Sequence, residues 1–290
     1  MYKHISSQIL IRDLVRHLED INKFHLGFTL YKSCIAILGY KRRMAVRYAE
    51  WMEARSNERD KHLDYMPPPS LRMKVHGCLE KQVFSKVGKR NVDDIENILQ
   101  RHLGRSLSSF QNILDFGCGC GRNMIWLYRR ASKTNYYGVD IDEKAIEWCK
   151  NNLPFATFSV NTSLPPLPLM PEAFDLIIVI SVFTHLDEEM QVAWIQELHR
   201  VLKPKGIVLL SVHGQHICNN MPKIIRDTLE SKGFVFVEAD FTKGIFPDWY
   251  KLSFHTEPYI KQKFDAYFKL LCYIERGIAD YQDAVLLEKK

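Results

Sequence analysis

From Asn112 to the end of the chain, short apolar runs alternate with segments of helical period, and no other feature restricts the fold as much. The runs are ILDFG, YYGVD, ATFSV, FDLIIVI and GIVLLSV. Such alternation reads as an α/β domain: a doubly wound parallel sheet with helices on both faces. The end of the chain departs from that pattern. YFKLLCYI (267–274) and YQDAVLLEK (281–289) are strand-like and separated by only six residues. A connection that short excludes a helical crossover and predicts an antiparallel hairpin.

The first part of the chain is helical in period. Ile9, Leu10, Leu14, Leu18 and Ile21, then Ala45, Tyr48, Trp51 and Met52, recur at three- and four-residue steps. They predict apolar stripes on two or three amphipathic helices. Pro67, Pro68 and Pro69 end that region, because proline disfavours helix on its N-terminal side. A further helix is predicted over Val92–His102, with Asp93 and Asp94 at its N-terminus, where acids are favoured. The organisation expected is a helical extension (1–66), a linker with helices (67–111) and the α/β domain (112–290). The N-terminal stripes must bury against the sheet domain, as a lid, or against a second copy of the chain, as a homodimer surface. The sequence does not choose between them.

Composition excludes several classes. With 46% hydrophobic and 26% charged residues over 290 positions, the chain is neither disordered, collagenous nor a coiled coil. The net charge of +6 is mild; residues 1–66 hold 12 Lys or Arg against 8 Asp or Glu, which reads as a solvated face. No specific nucleic-acid motif is present. Seven cysteines, an odd number scattered through regular elements, fit a reducing compartment rather than a disulfide framework. Cys118 and Cys120 form a C-x-C without the second pair that zinc would want. The apolar run from Gly27 to Gly39 contains Lys32 and is too short to span a bilayer. No signal peptide is visible, and the expected location is the cytoplasm.

ILDFGCGCGR (113–122) reads as a strand, a glycine loop and the start of a helix. Gly117, Gly119 and Gly121 permit a tight turn and bring a ligand against main-chain amides. Dinucleotide-binding proteins use a G-x-G-x-x-G loop in the same place, but here the third glycine comes one residue early. Asp115 is unwelcome beside a pyrophosphate and useful beside the ammonium of an amino acid. Asp140, at the end of the second strand, is placed to accept from ribose hydroxyls, and Asp142 is the expected cap of the following helix. After the third strand, Asn161 and Thr162 fall where a base edge would lie.

Together, ILDFGCGCGR, GVDID, FDLIIVISVFTHLDEE and LHRVLKPKGIVLL resemble the class I S-adenosylmethionine-dependent methyltransferases, over roughly residues 67–290. The resemblance implies a seven-stranded sheet whose last two strands are antiparallel, and S-adenosyl-L-methionine as cofactor. It implies Asp115, Gly117 and Gly119 at the methionine end, with Gly121 closing the loop. It places Asp140 at the ribose and Asn161 and Thr162 at the adenine, with Ile141 and Ser181 completing the contacts. Many relatives carry Asp where this chain has Asn161, which still accepts from an amino group. PPPSLRMKVHG, SVFTHL and ERGIADYQDAVLLEK look like a bacterial branch acting on small molecules or sugars.

The acceptor edge should lie beyond the fourth and fifth strands, where His185, His213 and His255 fall. A hydroxyl acceptor benefits from a histidine base, whereas an amine needs only alignment. His255 sits among Trp249, Tyr250, Phe254 and Tyr259; of these, Trp249, Tyr250 and Tyr259 are the expected substrate contacts. The stretch 214–255 reads as an insertion that, with the N-terminal helices, shapes the acceptor site while the cofactor site needs neither. No carboxylates follow the fourth strand, so a metal-free reaction is expected. The D/N-P-P-Y/F sequence of base methyltransferases acting on exocyclic amines is absent there too. The expected function is methyl transfer to a hydroxyl, or less readily an amine, of a small-molecule or glycosyl acceptor. The alternatives are a protein or nucleic-acid methyltransferase, or a non-catalytic regulator that binds the cofactor.

Overall fold

The computed structural model describes residues 24–55, 65–237 and 251–290. Three helices come first: α1 (Phe24–Arg55), α2 (Pro69–His76) and α3 (Lys81–Leu103). The alternating part follows as β1 (Asn112–Phe116), α4 (Arg122–Arg130), β2 (Asn135–Asp140), α5 (Glu143–Asn152), β3 (Ala156–Val160), β4 (Phe174–Val179), α6 (Glu188–Val201) and β5 (Leu202–Val212). After it come α7 (Gln215–Cys218), α8 (Lys223–Lys232), β6 (Phe234–Val237), β7 (Leu252–His255), α9 (Glu257–Phe264), β8 (Phe268–Ile278) and β9 (Gln282–Lys289).

The main sheet has seven strands in the order β3-β2-β1-β4-β5-β9-β8. β9 runs antiparallel to both of its neighbours and the other ladders are parallel. This is the expected α/β architecture with its antiparallel hairpin. The connections change direction between β1 and β4, so the crevice opens at the carboxyl ends of those two strands. Because helices cover both faces, the central strands are apolar almost throughout. Ile113 joins one core layer with Ile95, Leu99, Met124 and Leu127; its neighbour Leu114 joins the other with Trp194, Leu198, Ile260 and Phe264.

Local expectations needed three corrections. α3 begins at Lys81 rather than near Val92. Asp93 is therefore mid-helix, paired with Lys89 and Arg130, and Asp94 accepts from the Ala279 amide. The final hairpin has a shorter turn than six residues, because β8 continues through register shifts to Ile278. On α1, Tyr48, Trp51 and Met52 are exposed. The docked side of α1 is instead polar: Arg42 donates to the Met73 carbonyl, and Glu53 receives the buried guanidinium of Arg72.

The insertion forms α7, α8 and the antiparallel ribbon β6–β7. The ribbon is anchored where β5 ends: His213 bridges to Phe254, and the His255 amide donates to the His213 carbonyl at 2.8 Å. Among the described residues, no helix is long and apolar enough to cross a membrane.

Candidate functional site

The chain leaves β1 by a turn in which the amides of Gly117 and Cys118 both donate to the Val139 carbonyl. Gly117 has φ +78°, and a Cβ there would stand 2.2 Å from Val182 Cγ2. Gly121, at φ +77°, starts α4, and a Cβ would lie 2.4 Å from Leu153. Neither position admits a side chain. Asp140 holds the loop from the next strand. Its Oδ2 accepts from the Gly119 amide at 2.7 Å and its Oδ1 from the Asp142 amide at 2.8 Å. Asp142 caps α5, accepting from the amides of Lys144 and Ala145.

Burial leaves specific atoms unsatisfied. Among the described residues, six buried side-chain atoms lack a hydrogen-bond partner: Asp115 Oδ2, Arg122 Nε, Asn161 Oδ1, Thr184 Oγ1, His213 Nδ1 and His255 Nδ1. Each such group costs about 1–3 kcal/mol. Their residues sit at or beyond the carboxyl ends of β1, β3, β4 and β5, or on the ribbon docked there. That distribution marks the edge where a ligand belongs. Asp115 is 1% exposed. Burial pushes its carboxyl up to about 7, with the charge of Asp140 adding and that of Arg122 opposing. Burial likewise raises Asp140, against the backbone amides that it accepts.

These residues fit adenosylmethionine. Asp115 offers a carboxylate to an ammonium, and Asp140 lies at the end of the adjacent strand for ribose hydroxyls. Asn161 Oδ1 is an unused acceptor, while its amide nitrogen donates to the Thr162 carbonyl at 2.7 Å. Ile141, 45% exposed, offers an apolar flank for a flat base. Ser181, two residues beyond β4, has φ +61°; its amide donates to Ser211 Oγ and its hydroxyl to Gln282 Oε1.

The three histidines have different surroundings. His255 is wholly buried, and its Nε2 lies 3.0 Å from Gln191 Oε1. The Gln191 amide nitrogen donates to the carbonyls of Phe183 and Leu186, so its oxygen accepts and His255 Nε2 donates. The His255 lone pair, on Nδ1, is sealed inside, and the ring braces β7 against α6. Tyr259 shares that packing: it stacks on Phe234 and its hydroxyl donates to Glu188. His185 Nδ1 bonds the Lys251 carbonyl at 2.7 Å. His213 lies at the end of β5, its ring 6.2 Å from that of His185 and 6.3 Å from that of Tyr281. Its Nε2 lies 3.5 Å from Gln282 Nε2, which is the donor because Gln282 Oε1 already accepts from Ser181 and Ser211. His213 Nε2 therefore carries the lone pair, in a long, weak bond. Its Nδ1 makes no hydrogen bond of good geometry, although the Ser253 backbone approaches the ring. Burial pushes all three rings down, to about 4 for His185 and about 3 for His213 and His255. Trp249 and Tyr250 lie outside the described residues.

Residues 113–206 match the family model of a methyltransferase domain. An uncharacterized methyltransferase from Synechocystis sp. is 35% identical over 133 residues, 44% of this chain and 59% of its own length. A tRNA N(3)-methylcytidine methyltransferase from Schizosaccharomyces pombe is 30% identical over 36% of this chain and 37% of its own. Both matches span less than two thirds of the relative. The solved structure of 1,6-didemethyltoxoflavin-N1-methyltransferase from Burkholderia thailandensis, with S-adenosylhomocysteine bound, superposes with TM-score 0.51 and 15% identity. It covers 81% of this chain and 92% of that one, and shows the shared fold. By that match residues 113–206 are a methyltransferase domain, on a fold that the solved enzyme shares.

One neighbour of the glycine loop escaped the sequence reading. α2 lies over the glycine loop: Val75 stands 2.8 Å from where a Gly119 Cβ would be, and Lys74 pairs with Asp142 at 2.7 Å. His76 Nδ1 lies 3.1 Å from Arg122 Nη1. A guanidinium only donates, so Nδ1 accepts and the imidazole is neutral. Burial, and then the charge of Arg122, holds its pKa down to about 4. Arg72, fully buried, ties α2 to Glu53 of α1 and to the carbonyls of Pro67 and Leu79. The cofactor loop therefore leans on α2, and through Arg72 on α1. The only signal was the PPPSLRMKVHG phrase, which carried a resemblance but no assigned role.

Proposed function

We propose that this chain transfers a methyl group from S-adenosylmethionine to a hydroxyl, or less readily an amine, of a small molecule or glycosyl group without a metal ion. His213 receives the acceptor's proton. The placement of His213 supports this reading more than any other observation: a neutral imidazole whose Nε2 lone pair is held only by a long contact from Gln282, where β5 reaches the carboxyl edge. When bound, the cofactor supplies an electrophilic methyl on a sulfonium whose leaving group departs neutral.

The residues then divide the work. Asp115, Asp140 and Asn161 hold the cofactor's ammonium, ribose and adenine. Ser181 and Gln282 link β4 to His213 through Ser211. An oxygen undergoing methylation becomes a far stronger acid than any imidazolium, so even a ring with depressed basicity captures its proton. His255 and Tyr259 serve as packing that positions the end of β5. Residues 214–255 shape the acceptor side.

The test is a screen of hydroxyl- and amine-bearing acceptors, including glycosides, with methyl-labelled adenosylmethionine. Label on a low-molecular-weight hydroxyl, insensitive to chelator, is the expected result. Turnover abolished by chelator and restored by magnesium would remove the metal-free part. The tRNA methyltransferase likeness motivates a second arm with bulk tRNA; labelling of tRNA alone overturns the small-molecule reading.

A further inference from the structure

We infer that Arg122, held in place by His76 of α2, receives the α-carboxylate of the cofactor, so that a short helix outside the sheet completes the cofactor site. This rests on the adenosylmethionine reading above.

Beside the glycine loop a buried carboxyl, Asp115, and a half-buried guanidinium, Arg122, whose Nε is enclosed, do not pair. Asp115 and Arg122 are near enough for each to shift the other's protonation, yet no ion pair joins them among the described residues. Asp115 keeps an oxygen without a partner, and Arg122 a nitrogen. An acid and a guanidinium kept apart in this way match a zwitterion, with an ammonium toward one and a carboxylate toward the other. The amino-acid end of adenosylmethionine is such a group, and planar guanidinium donors suit a carboxylate.

Neighbouring cations are engaged elsewhere. Arg72 directs its donors to Glu53 and to main-chain carbonyls, and Lys74 pairs with Asp142 at the surface. Arg122 is also fixed rather than free to swing. A Cβ on residue 88 would stand 2.6 Å from the Arg122 carbonyl oxygen and 3.0 Å from its Cγ, so glycine there lets α3 close on the backbone and the base of the side chain. His76 accepts from one Nη and leaves the Nε edge for a ligand. His76 is thus a positioning residue for Arg122.

Titration calorimetry on the full chain tests this with three ligands. S-adenosylmethionine carries both charges of the amino-acid end, decarboxylated adenosylmethionine lacks the carboxylate, and 5′-methylthioadenosine lacks the whole amino-acid part. The wild type should prefer adenosylmethionine to its decarboxylated form by about 10- to 100-fold, the range for a charge-assisted bond. Arg122→Met should erase that preference and leave 5′-methylthioadenosine binding unchanged. His76→Leu should lose part of it, and His76→Asn, which keeps an acceptor, should restore it. Equal wild-type affinity for adenosylmethionine and its decarboxylated form overturns the inference without needing any variant. So does an Arg122→Met protein that still discriminates, or one that weakens all three ligands alike. A wild type that binds none of the three sinks the methyltransferase reading itself, and the inference with it.

Discussion

At the glycine loop, the buried Asp115 and the half-buried Arg122 are opposite charges that do not bond each other. At the end of β5, His185, His213 and His255 are rings whose basicity burial has suppressed, packed against Phe254, Tyr259 and Tyr281. Under the function proposed above, the first region meets a charged ligand whose zwitterionic end completes its unsatisfied groups. The second is built to offer a neutral lone pair. A cofactor side that stores charge and an acceptor side that avoids it suit a reaction whose electrophile is cationic. An imidazolium already protonated beside a sulfonium would repel it and could accept no proton.

The largest expected effect tests the acceptor side. His213→Ala should lower turnover by roughly 10²- to 10⁴-fold, while S-adenosylhomocysteine affinity, measured by calorimetry, stays the same. His255→Ala should lower stability by about 1–3 kcal/mol, because Gln191 loses its partner in the interior, but leave turnover per folded molecule near wild type. An active His213→Ala together with a folded but inactive His255→Ala would reverse the assignment. If both are fully active, transfer by alignment to an amine becomes the better account.

On the cofactor side, Asp140→Ala removes the carboxylate that fixes the Gly119 and Asp142 amides and that the proposed function assigns to the ribose. Adenosylmethionine affinity should fall by about 10²-fold, as expected for losing charged hydrogen bonds. Comparable affinity in wild type and variant would show that the loop holds its shape without β2.

The two regions should also separate by pH. Asp115 must be ionised to meet an ammonium, and its carboxyl is pushed up to about 7. Cofactor affinity should therefore drop as pH falls below 7, by roughly tenfold per pH unit at the limit. The histidines, at about 3 to 4, are already neutral throughout that range. With saturating cofactor, kcat should be flat between about pH 5 and 8, since no histidine titrates there. A limb near 6.5 in kcat would mean that the acceptor-side histidine titrates as an exposed ring and that burial does not govern it.

The sheet, the glycine loop and the cap at Asp142 were legible in the sequence because each is local: a period, a turn or a residue before its helix. What failed depended on distant partners. The start of α3 was hidden by Gly88 and Asn91, poor helix formers by propensity. Gly88 lets α3 approach the Arg122 backbone of α4, and Asn91 bonds Asn123 in the interior. The stripe on α1 resembled a buried face, but α1 docks by Arg42 and Glu53 instead. His255 looked accessible among aromatics, and only the bond to Gln191, 64 positions away in the chain, shows the ring to be internal. His76 and Arg122 are 46 positions apart, and no spacing rule joins them.

The smallest effect concerns what the unpaired charge costs the fold. Asp115 has a folded pKa raised above its unfolded value, so between the ordinary carboxylate range and about 7 the unfolded chain binds fewer protons than the folded one. Stability must then decrease as pH rises through that window and level off above it, the reverse of a salt-bridged carboxylate. The displacement to about 7 sets an upper limit of about 4 kcal/mol at pH 8. Asp115→Asn keeps the shape and removes the charge. At pH 8 and without ligand it should melt above the wild type, by roughly 3–6 °C if half or less of that limit is realised. The advantage should shrink at pH 5 and vanish near pH 4, while adenosylmethionine, which needs the charge, should no longer stabilise the variant. A variant less stable than wild type at pH 8 would mean that Asp115 has a partner in the fold, and that the glycine loop is not holding a charge in reserve.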